Sequence, residues 1–318
     1  MAILTEKVPE NLAGMRLDQV LAEVFSDYSR SKLQTWIKAG RVRVNGQELR
    51  TRDKLYGGEE IILDAEAEVV LECEPQNIAL DIVFEDKSLL IVNKPAGLVV
   101  HPGAGNWSGT LQNALLYHDN SLEALPRAGI IHRIDKDTSG LLMVAKTLQA
   151  HHSLSDQLQE RDITREYLAV VKGWMTAGGT VDQPIGRHAV DRLRYTVRDD
   201  GKEAVTHYRL IDRFIHHTFL RVQLETGRTH QIRVHMSHIG YPLIGDQLYG
   251  GPFRMPGDCG AELEKQLRGF KRQALHAAKL GLHHPRTGDY CEWEQPLPDD
   301  MKELLQALAN NDKEHGKR

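Results

Sequence analysis

The chain has 318 residues, of which 41% are hydrophobic, 26% charged and 6% aromatic. This mixture is typical of a globular protein with one or two domains. The longest stretch without Asp, Glu, Lys or Arg, residues 95–118, is broken by glycines and prolines, so we predict no membrane span. Three scattered cysteines form no CxxC pair, and the first residues lack the pattern of a signal peptide. These features argue against a disulfide scaffold or a zinc ribbon, and we expect a cytoplasmic protein.

Charge is unevenly distributed, although the net charge is only −4. Residues 28–54 carry eight basic side chains against two acidic ones, and residues 59–74 carry seven acids and no Lys or Arg. Residues 187–233 carry ten basic side chains against six acids. Charge runs often do no more than coat a solvated face. Two basic islands in an acidic chain nevertheless favour an anionic polymer as partner.

In chain order, the first predicted elements form a small module. RLDQVLAEVF and LQTWIK have apolar residues at helical spacing, and Gly40 is a helix-ending signal. VRVNGQEL alternates around Asn45-Gly46, which predicts a β-hairpin. The sequence SRSKLQTWIKAGRVRVNG resembles S4-type RNA-binding domains, so we predict an S4-like domain with an acidic linker over residues 1–75. Its predicted RNA-binding side chains are Arg30, Lys32, Lys38, Arg41 and Arg43.

Residues 76–318 are predicted to form a second, larger domain. Strands are predicted on both sides of residues 86–88 and at 129–134, 141–145, 166–172, 204–211 and 219–225. Helices are predicted at 148–159, 230–238 and 301–308. Strands that are mostly linked as hairpins, with helices interspersed, indicate an α+β domain on a mixed, largely antiparallel sheet.

The densest polar cluster is HRIDKDTSG, in which Asp135 directly follows the apolar Ile134. Asp, Ser and Gly are turn residues, so a capped turn is the simplest interpretation. A carboxylate flanked by Arg133 and Lys136 can however stay ionised while it is partly desolvated. Such a group suits nucleophilic or base chemistry, and Asp135 is our candidate for it.

A second cluster, LETGRTHQIRVHMSHIG, contains Arg228, His230 and Arg233. His230 and His235 lack the spacing of a zinc-binding HExxH motif, so we predict no metal, and no nucleotide-cofactor motif is present either. One of the two arginines can hold a carboxylate while the other meets phosphate. In REYLAVV, Tyr167 is either a core residue or a flat ring that stacks on a displaced base.

Six segments occur in one order between residues 81 and 298: NKPAGLVVHPG, HRIDKDTSGLLMVAKT, TREYLAVV, ETGRTHQIRVHM, PLIGDQLYG and LHAAKLGLHHP. Together they closely resemble the RluA-type pseudouridine synthases. The resemblance implies a cofactor-independent isomerase that breaks the N1–C1′ bond of a uridine in RNA, turns the base and rejoins it through C5. It further implies a monomer that acts on the helix 69 stem-loop of 23S large-subunit ribosomal RNA during ribosome biogenesis.

The same resemblance implies roles for individual residues. Asp135 becomes the essential carboxylate, Arg233 its ion-pair partner, and Tyr167 the ring that stacks on the flipped base and helps to move the C5 proton. Three routes remain open for Asp135: attack at C1′, addition to the base, or removal of the C2′ proton. The predicted substrate-binding residues are Arg133, Arg228, His230 and Leu280, the last as the apolar residue of the pocket.

Overall fold

The computed structural model describes residues 2–25, 28, 30–65, 73–103, 105–191 and 193–315. It divides into two compact units, Met1–Glu72 and Cys73–Arg318. Most of the predicted acidic linker, residues 66–72, lies outside the described residues. Among those residues, no helix is both long and apolar enough to cross a membrane.

The first unit packs two helices against a three-stranded antiparallel sheet. The strands are β1 (Ala2–Lys7), β2 (Val42–Val44) and β3 (Glu60–Ala65) in the order β1-β3-β2, and the helices are α1 (Leu17–Val24) and α2 (Arg30–Lys38). A 3-10 turn, Glu10–Leu12, precedes α1. The core of the unit includes Leu17, Leu21, Leu33, Trp36 and Leu63.

The predicted hairpin around Asn45-Gly46 is only partly correct. Both residues have positive φ, 48° and 78°, as a tight turn requires. After the turn, however, the chain forms a single bridge, Val44 to Gln47, and the strand partner of β2 is β3. The reason is burial, because β3 places Ile61 and Leu63 in the core, whereas the residues directly after the turn are exposed or half-buried.

In the described part of the second unit, nine strands form one sheet and two short strands form another. The large sheet has the order β4-β5-β6-β13-β7-β12-β11-β8, and β14 also pairs with β13. Its strands are β4 (Ile82–Glu85), β5 (Leu89–Lys94), β6 (Ser139–Ala145), β7 (Thr164–Lys172), β8 (Gly179–Asp182), β11 (Val205–Arg213), β12 (His217–Leu224), β13 (Leu275–His283) and β14 (Tyr290–Glu294). The short pair is β9 (Ile185–Arg187) and β10 (Tyr195–Val197). All pairings are antiparallel except that of β6 with β13, which confirms the predicted α+β fold class.

Helices cover both faces of this sheet. The helices of the second unit are α3 (Leu111–His118), α4 (Leu148–Gln159), α5 (Gln231–His238), α6 (Ala261–Gly269) and α7 (Asp299–His315), with 3-10 turns at Asn120–Ala124 and Pro126–Gly129. Residues of α3 and α5 share one core cluster with Leu142 and Val144 of β6, while residues of α4 share another with Leu141 and Met143. The central strand β6 is therefore apolar on both sides, as expected for a strand between two layers.

The predicted helix at 148–159 is confirmed in full, and those at 230–238 and 301–308 within larger or shifted bounds. The predicted strand at 129–134 is wrong, because the chain there leaves a 3-10 turn and makes one isolated bridge, Ile130 to Val144. Gly129 has a φ of 78°, and a Cβ at this position would lie 1.9 Å from the carbonyl oxygen of Ala145. The close crossing turns the chain away from the sheet before it reaches Asp135.

Candidate active site

Asp135 lies in a loop, residues 132–138, that leads into β6, and we call it the aspartate loop. Lys94, at the end of β5, is 1% exposed, and its ammonium donates three hydrogen bonds of 2.8–2.9 Å to backbone carbonyl oxygens. One of these oxygens belongs to Lys136, so Lys94 fixes the backbone directly after Asp135. Burial lowers the pKa of Lys94 to about 7, against the attraction of Asp137 and Asp135.

The other end of the aspartate loop is fixed by a close approach between β6 and β13. Gly140 has a φ of +114°, and a Cβ there would lie 2.2 Å from the carbonyl oxygen of Ala277. Only glycine fits this position without moving one of the two strands. The Thr-Ser-Gly end of the motif is therefore needed to join the loop to the centre of the sheet.

Arg233 lies in the first turn of α5, and the start of this helix is held by a buried glutamine. Gln231 accepts hydrogen bonds at Oε1 from the Thr226 hydroxyl (2.7 Å) and the Arg228 N–H (2.9 Å). Its Nε2 donates to the Val205 carbonyl and the Thr206 hydroxyl, both at 3.0 Å. These bonds connect β11, the end of β12 and α5, and so fix the direction of Arg233.

The guanidinium of Arg233 bridges two carboxylates. Its Nη1 donates to Oδ2 of Asp135 at 2.9 Å, while Nε and Nη2 donate to Asp246 at 2.7 and 2.9 Å. The Asp246 side chain is fully buried, and it also accepts hydrogen bonds from the backbone N–H groups of Leu248 and Tyr249. Asp135 is 16% exposed and keeps contact with the cleft. Asp135 therefore has a cationic partner whose position is fixed by two hydrogen bonds to Asp246.

The charges in this network stabilise one another. Burial acts against ionisation of Arg233, but the hydrogen bonds and charges of Asp246 and Asp135 outweigh it and raise the pKa of Arg233. Burial likewise opposes the charge on Asp246, but the guanidinium of Arg233 and the backbone N–H groups hold its pKa below the usual range. Both groups therefore stay charged at neutral pH.

His230 stands on the other side of Asp135, with Nε2 3.9 Å from Oδ1. Its Nδ1 lies 2.8 Å from the Tyr249 hydroxyl, which itself accepts the N–H of Tyr195. If that hydroxyl donates to Nδ1, the proton of the neutral ring is on Nε2 and faces the carboxylate. Burial, partly offset by the charge of Asp135, lowers the pKa of His230.

Tyr167 and several apolar side chains form the rest of the cleft. Tyr167 is 6% exposed, and burial, together with the nearby charge of Asp135, raises its pKa against the effect of Arg165. The apolar lining comes from Ile134, Leu224, Ile232 and Leu275. Tyr167 therefore presents a neutral hydroxyl and a ring in a partly apolar cleft that also holds Asp135.

Leu280 needs a correction. Among the described residues, it is not one that lines the cleft, since it packs with Leu141, Met143 and Leu282 in the core cluster that contains α4. Leu275 and Leu280 are five residues apart in β13, and they belong to different core clusters. Leu275, in the same strand, is the residue that reaches the cleft.

Arg133 and Arg228 both line the cleft. Arg133 is exposed, whereas Arg228 is half-buried and donates from Nε to the Glu203 carbonyl at 2.8 Å. The structure thus brings Asp135, Arg133, Tyr167, Arg228, His230 and Arg233 to one cleft. Sequence reasoning missed Asp246, Lys94 and Leu275; the signal for Asp246 was an acid within the apolar PLIGDQLYG segment, which requires a partner when buried.

In the first unit, the five predicted RNA-binding residues are in different situations. Lys38 and Arg43 are exposed, whereas Arg30 forms an ion pair with the buried Asp18 at 2.7 Å. Lys32 lies over the Trp36 ring at 4.9 Å from its centroid, and Arg41 lies 3.8 Å from Asp64. Arg30 thus also links α2 to α1.

Comparison with known proteins gives consistent matches over nearly the whole chain. Residues 88–238 match the family model described as RNA pseudouridylate synthase, and residues 15–61 match the S4 domain. The chain is 56% identical over 305 residues to "Ribosomal large subunit pseudouridine synthase D" of Pseudomonas aeruginosa, covering 96% of this chain and 95% of the relative. It is 53% identical over 313 residues to the Escherichia coli K12 protein of the same name, covering 98% and 96%.

Among solved structures, the chain is similar to "Human RNA Pseudouridylate Synthase Domain Containing 4", with a TM-score of 0.57 and 26% identity over 72% of this chain and 92% of that one. The fold and the matches define a pseudouridine synthase with an S4 domain. The chain belongs to the RNA pseudouridine synthase family, and the predicted family resemblance is confirmed.

Proposed function

We propose that this enzyme isomerises uridines in large-subunit ribosomal RNA, at the helix 69 stem-loop of the 23S RNA, with Asp135 as the essential carboxylate. The observation that carries the proposal is the ion pair between Asp135 and Arg233 inside a cleft that also holds Tyr167. The reaction breaks the N1–C1′ bond and forms a C5–C1′ bond, and the C5 proton leaves while N1 gains one. Substrate and product are therefore isomers, and the reaction involves no net oxidation.

The proposed roles follow from the environment of each residue. Arg233 donates a hydrogen bond to the carboxylate and places a positive charge beside it, so it holds Asp135 in the fixed position that each of the three routes requires. Tyr167 stacks on the extruded base, an interaction worth about 1–3 kcal/mol per base, and so offsets part of the few kcal/mol that flipping costs. Arg133, Arg228 and His230 contact the flipped nucleotide, and Leu275 rather than Leu280 supplies the apolar wall.

The choice of RNA rests on two supports. The names of the relatives from Pseudomonas aeruginosa and Escherichia coli refer to the large ribosomal subunit, and the first unit matches an S4 domain. We assign RNA binding to residues 1–75 and catalysis to residues 76–318, in a monomer that acts in the cytoplasm. A stem-loop is a suitable target because loop bases unstack most readily.

Release of tritium from RNA labelled at uridine C5 tests the proposal. The wild-type protein is expected to release it, and Asp135→Asn is expected to bind the same RNA without releasing it. Thermal unfolding of both proteins controls for misfolding. Release by Asp135→Asn at the wild-type rate would contradict the role of the carboxylate, and no release by the wild-type protein would contradict the reaction itself.

A further inference from the structure

A groove rich in arginine opens beside the active-site cleft. It has a volume of about 510 Å³, and its arginines are Arg127, Arg133, Arg161, Arg165 and Arg228. Among the described residues that line it, Glu225 is the single carboxylate, and its oxygens are engaged by Arg161 and His207. The groove is therefore strongly positive and suits an anionic ligand.

Arg165 is the unusual member of this group. It is 6% exposed, and its hydrogen bonds go from Nη2 to the backbone carbonyls of Glu225 (3.0 Å) and Leu224 (3.5 Å). Its Nε is buried and has no hydrogen-bond partner, and within the described chain no carboxylate lies within 4.0 Å of its guanidinium. Burial lowers its pKa. A buried cation without a counter-ion is disfavoured, so an anionic ligand that supplies one is expected to bind well.

The position of Arg165 indicates which anion this is. It lines both the cleft that holds Asp135 and the arginine-rich groove, as do Arg133 and Arg228. Gly227 lies beside it, and a Cβ there would come within 2.9 Å of Nη1, so any side chain at position 227 would crowd this nitrogen. A planar guanidinium suits a phosphate, because two parallel N–H groups can meet two oxygens.

We propose that the groove receives an RNA backbone phosphate next to the target uridine, with Arg165 as the buried counter-charge. This inference rests on the proposed function, since it takes the cleft to hold the uridine. The phosphate anchors the strand on one side of the flipped nucleotide and so fixes where C1′ lies relative to Asp135. The competing interpretation is that Arg165 is purely structural and holds the carbonyl end of β12.

A binding cycle separates the two interpretations. The RNA stem-loop is prepared with its native phosphates and, in separate molecules, with a neutral methylphosphonate at each phosphate flanking the target uridine. Arg165→Met is expected to raise the Kd for native RNA roughly 10- to 100-fold. A methylphosphonate at one of the flanking positions should raise the Kd of the wild-type protein by a similar factor. The same methylphosphonate should leave the Kd of Arg165→Met unchanged from its value with native RNA. Arg268→Met, an exposed arginine on α6, is the control that should bind like the wild type.

The cycle has clear contrary outcomes. The proposal would be overturned if, at every phosphate position, the effects of the methylphosphonate and of Arg165→Met on Kd multiplied as independent factors. An unchanged Kd for Arg165→Met would overturn it as well. If Arg165→Met does not fold, Gly227→Ala, whose methyl group crowds Nη1, is used in the same cycle with the same expectation. Tritium release by the wild-type protein is measured in parallel, so failure of the proposed reaction is distinguished from failure of the phosphate site.

Discussion

Replacement of Asp246 by Asn tests the buried support of the active site. The Asp246 side chain is fully buried, Arg233 is 9% exposed at its side chain, and two hydrogen bonds of 2.7 and 2.9 Å join them. Removing one partner of a buried ion pair costs about 3–5 kcal/mol, because the other charge is left uncompensated. At about 2–4 °C per kcal/mol for a unit of this size, Tm is expected to fall by roughly 6–20 °C.

The pH dependence of this effect has a definite sign. The pKa of Asp246 is held below its ordinary value of 3.8, since Arg233 and backbone N–H groups outweigh the effect of burial. A carboxyl with a depressed folded pKa contributes its full stability above the unfolded pKa and loses it as the pH falls through the folded value. The Tm difference between wild type and Asp246→Asn should therefore be constant from neutral pH down to about 5, and narrow only below 3.8.

Differential scanning calorimetry of the full chain measures this difference. The matched control is Glu264→Gln, which removes the exposed pair with Arg268, whose side chains are 42% and 60% exposed. That change is expected to cost less than about 1 kcal/mol. If Asp246→Asn melts as close to the wild type as Glu264→Gln does, the buried network does not stabilise the enzyme in the way its geometry indicates.

Three further changes probe separate parts of the structure. Lys94→Met removes the donor for three carbonyl groups, so chemical denaturation should show a free energy of unfolding lower by about 3 kcal/mol or more. Tritium release should also fall, because the aspartate loop is no longer held by Lys94. An unchanged free energy of unfolding would contradict this. Leu280→Ala should lower the free energy of unfolding by about 2–5 kcal/mol and leave the activity per folded molecule normal. Leu275→Ala should lower both the stability and the activity, because Leu275 lines the cleft. Equal activities of the two variants would contradict the assignment of Leu275, rather than Leu280, to the cleft. Replacing Lys38 and Arg43 together by Gln should reduce the slope of log Kd against log salt by roughly 1–2, and an identical slope would mean that they do not contact phosphate.

Much of the fold could be predicted because its elements carry strong local signals. The apolar spacing of residues 148–159 predicts α4, and the alternating or continuous apolar runs predict β6, β7 and β12. The site residues could also be found, because they lie in short motifs that combine polar and apolar residues, although the roles of Arg233 and Tyr167 came from the family resemblance. Asp135, Arg233 and Tyr167 illustrate this, because each lies in a short motif of its own.

The remaining features depend on contacts that are distant in the sequence. β2 pairs with β3 because β3 places apolar side chains in the core. The predicted strand at 129–134 does not form, and at its start Gly129 passes close to the backbone of Ala145. Asp246 lies 13 residues from Arg233, in a segment without regular structure, so no periodic pattern connects them. The same holds for Leu280, which packs in a core cluster with residues of β5, β6 and α4 that are distant in the sequence.

The central claim is tested most directly by mapping pseudouridines in ribosomal RNA. The cells are ones from which the gene has been deleted, and they are compared without a gene copy, with the wild-type gene and with the Asp135→Asn gene. The wild-type gene is expected to restore pseudouridine in helix 69 of the 23S RNA, while Asp135→Asn, at equal protein level, restores none. Pseudouridine at those sites in cells with only the Asn variant, or in cells without the protein, would contradict the assignment of the reaction to this carboxylate.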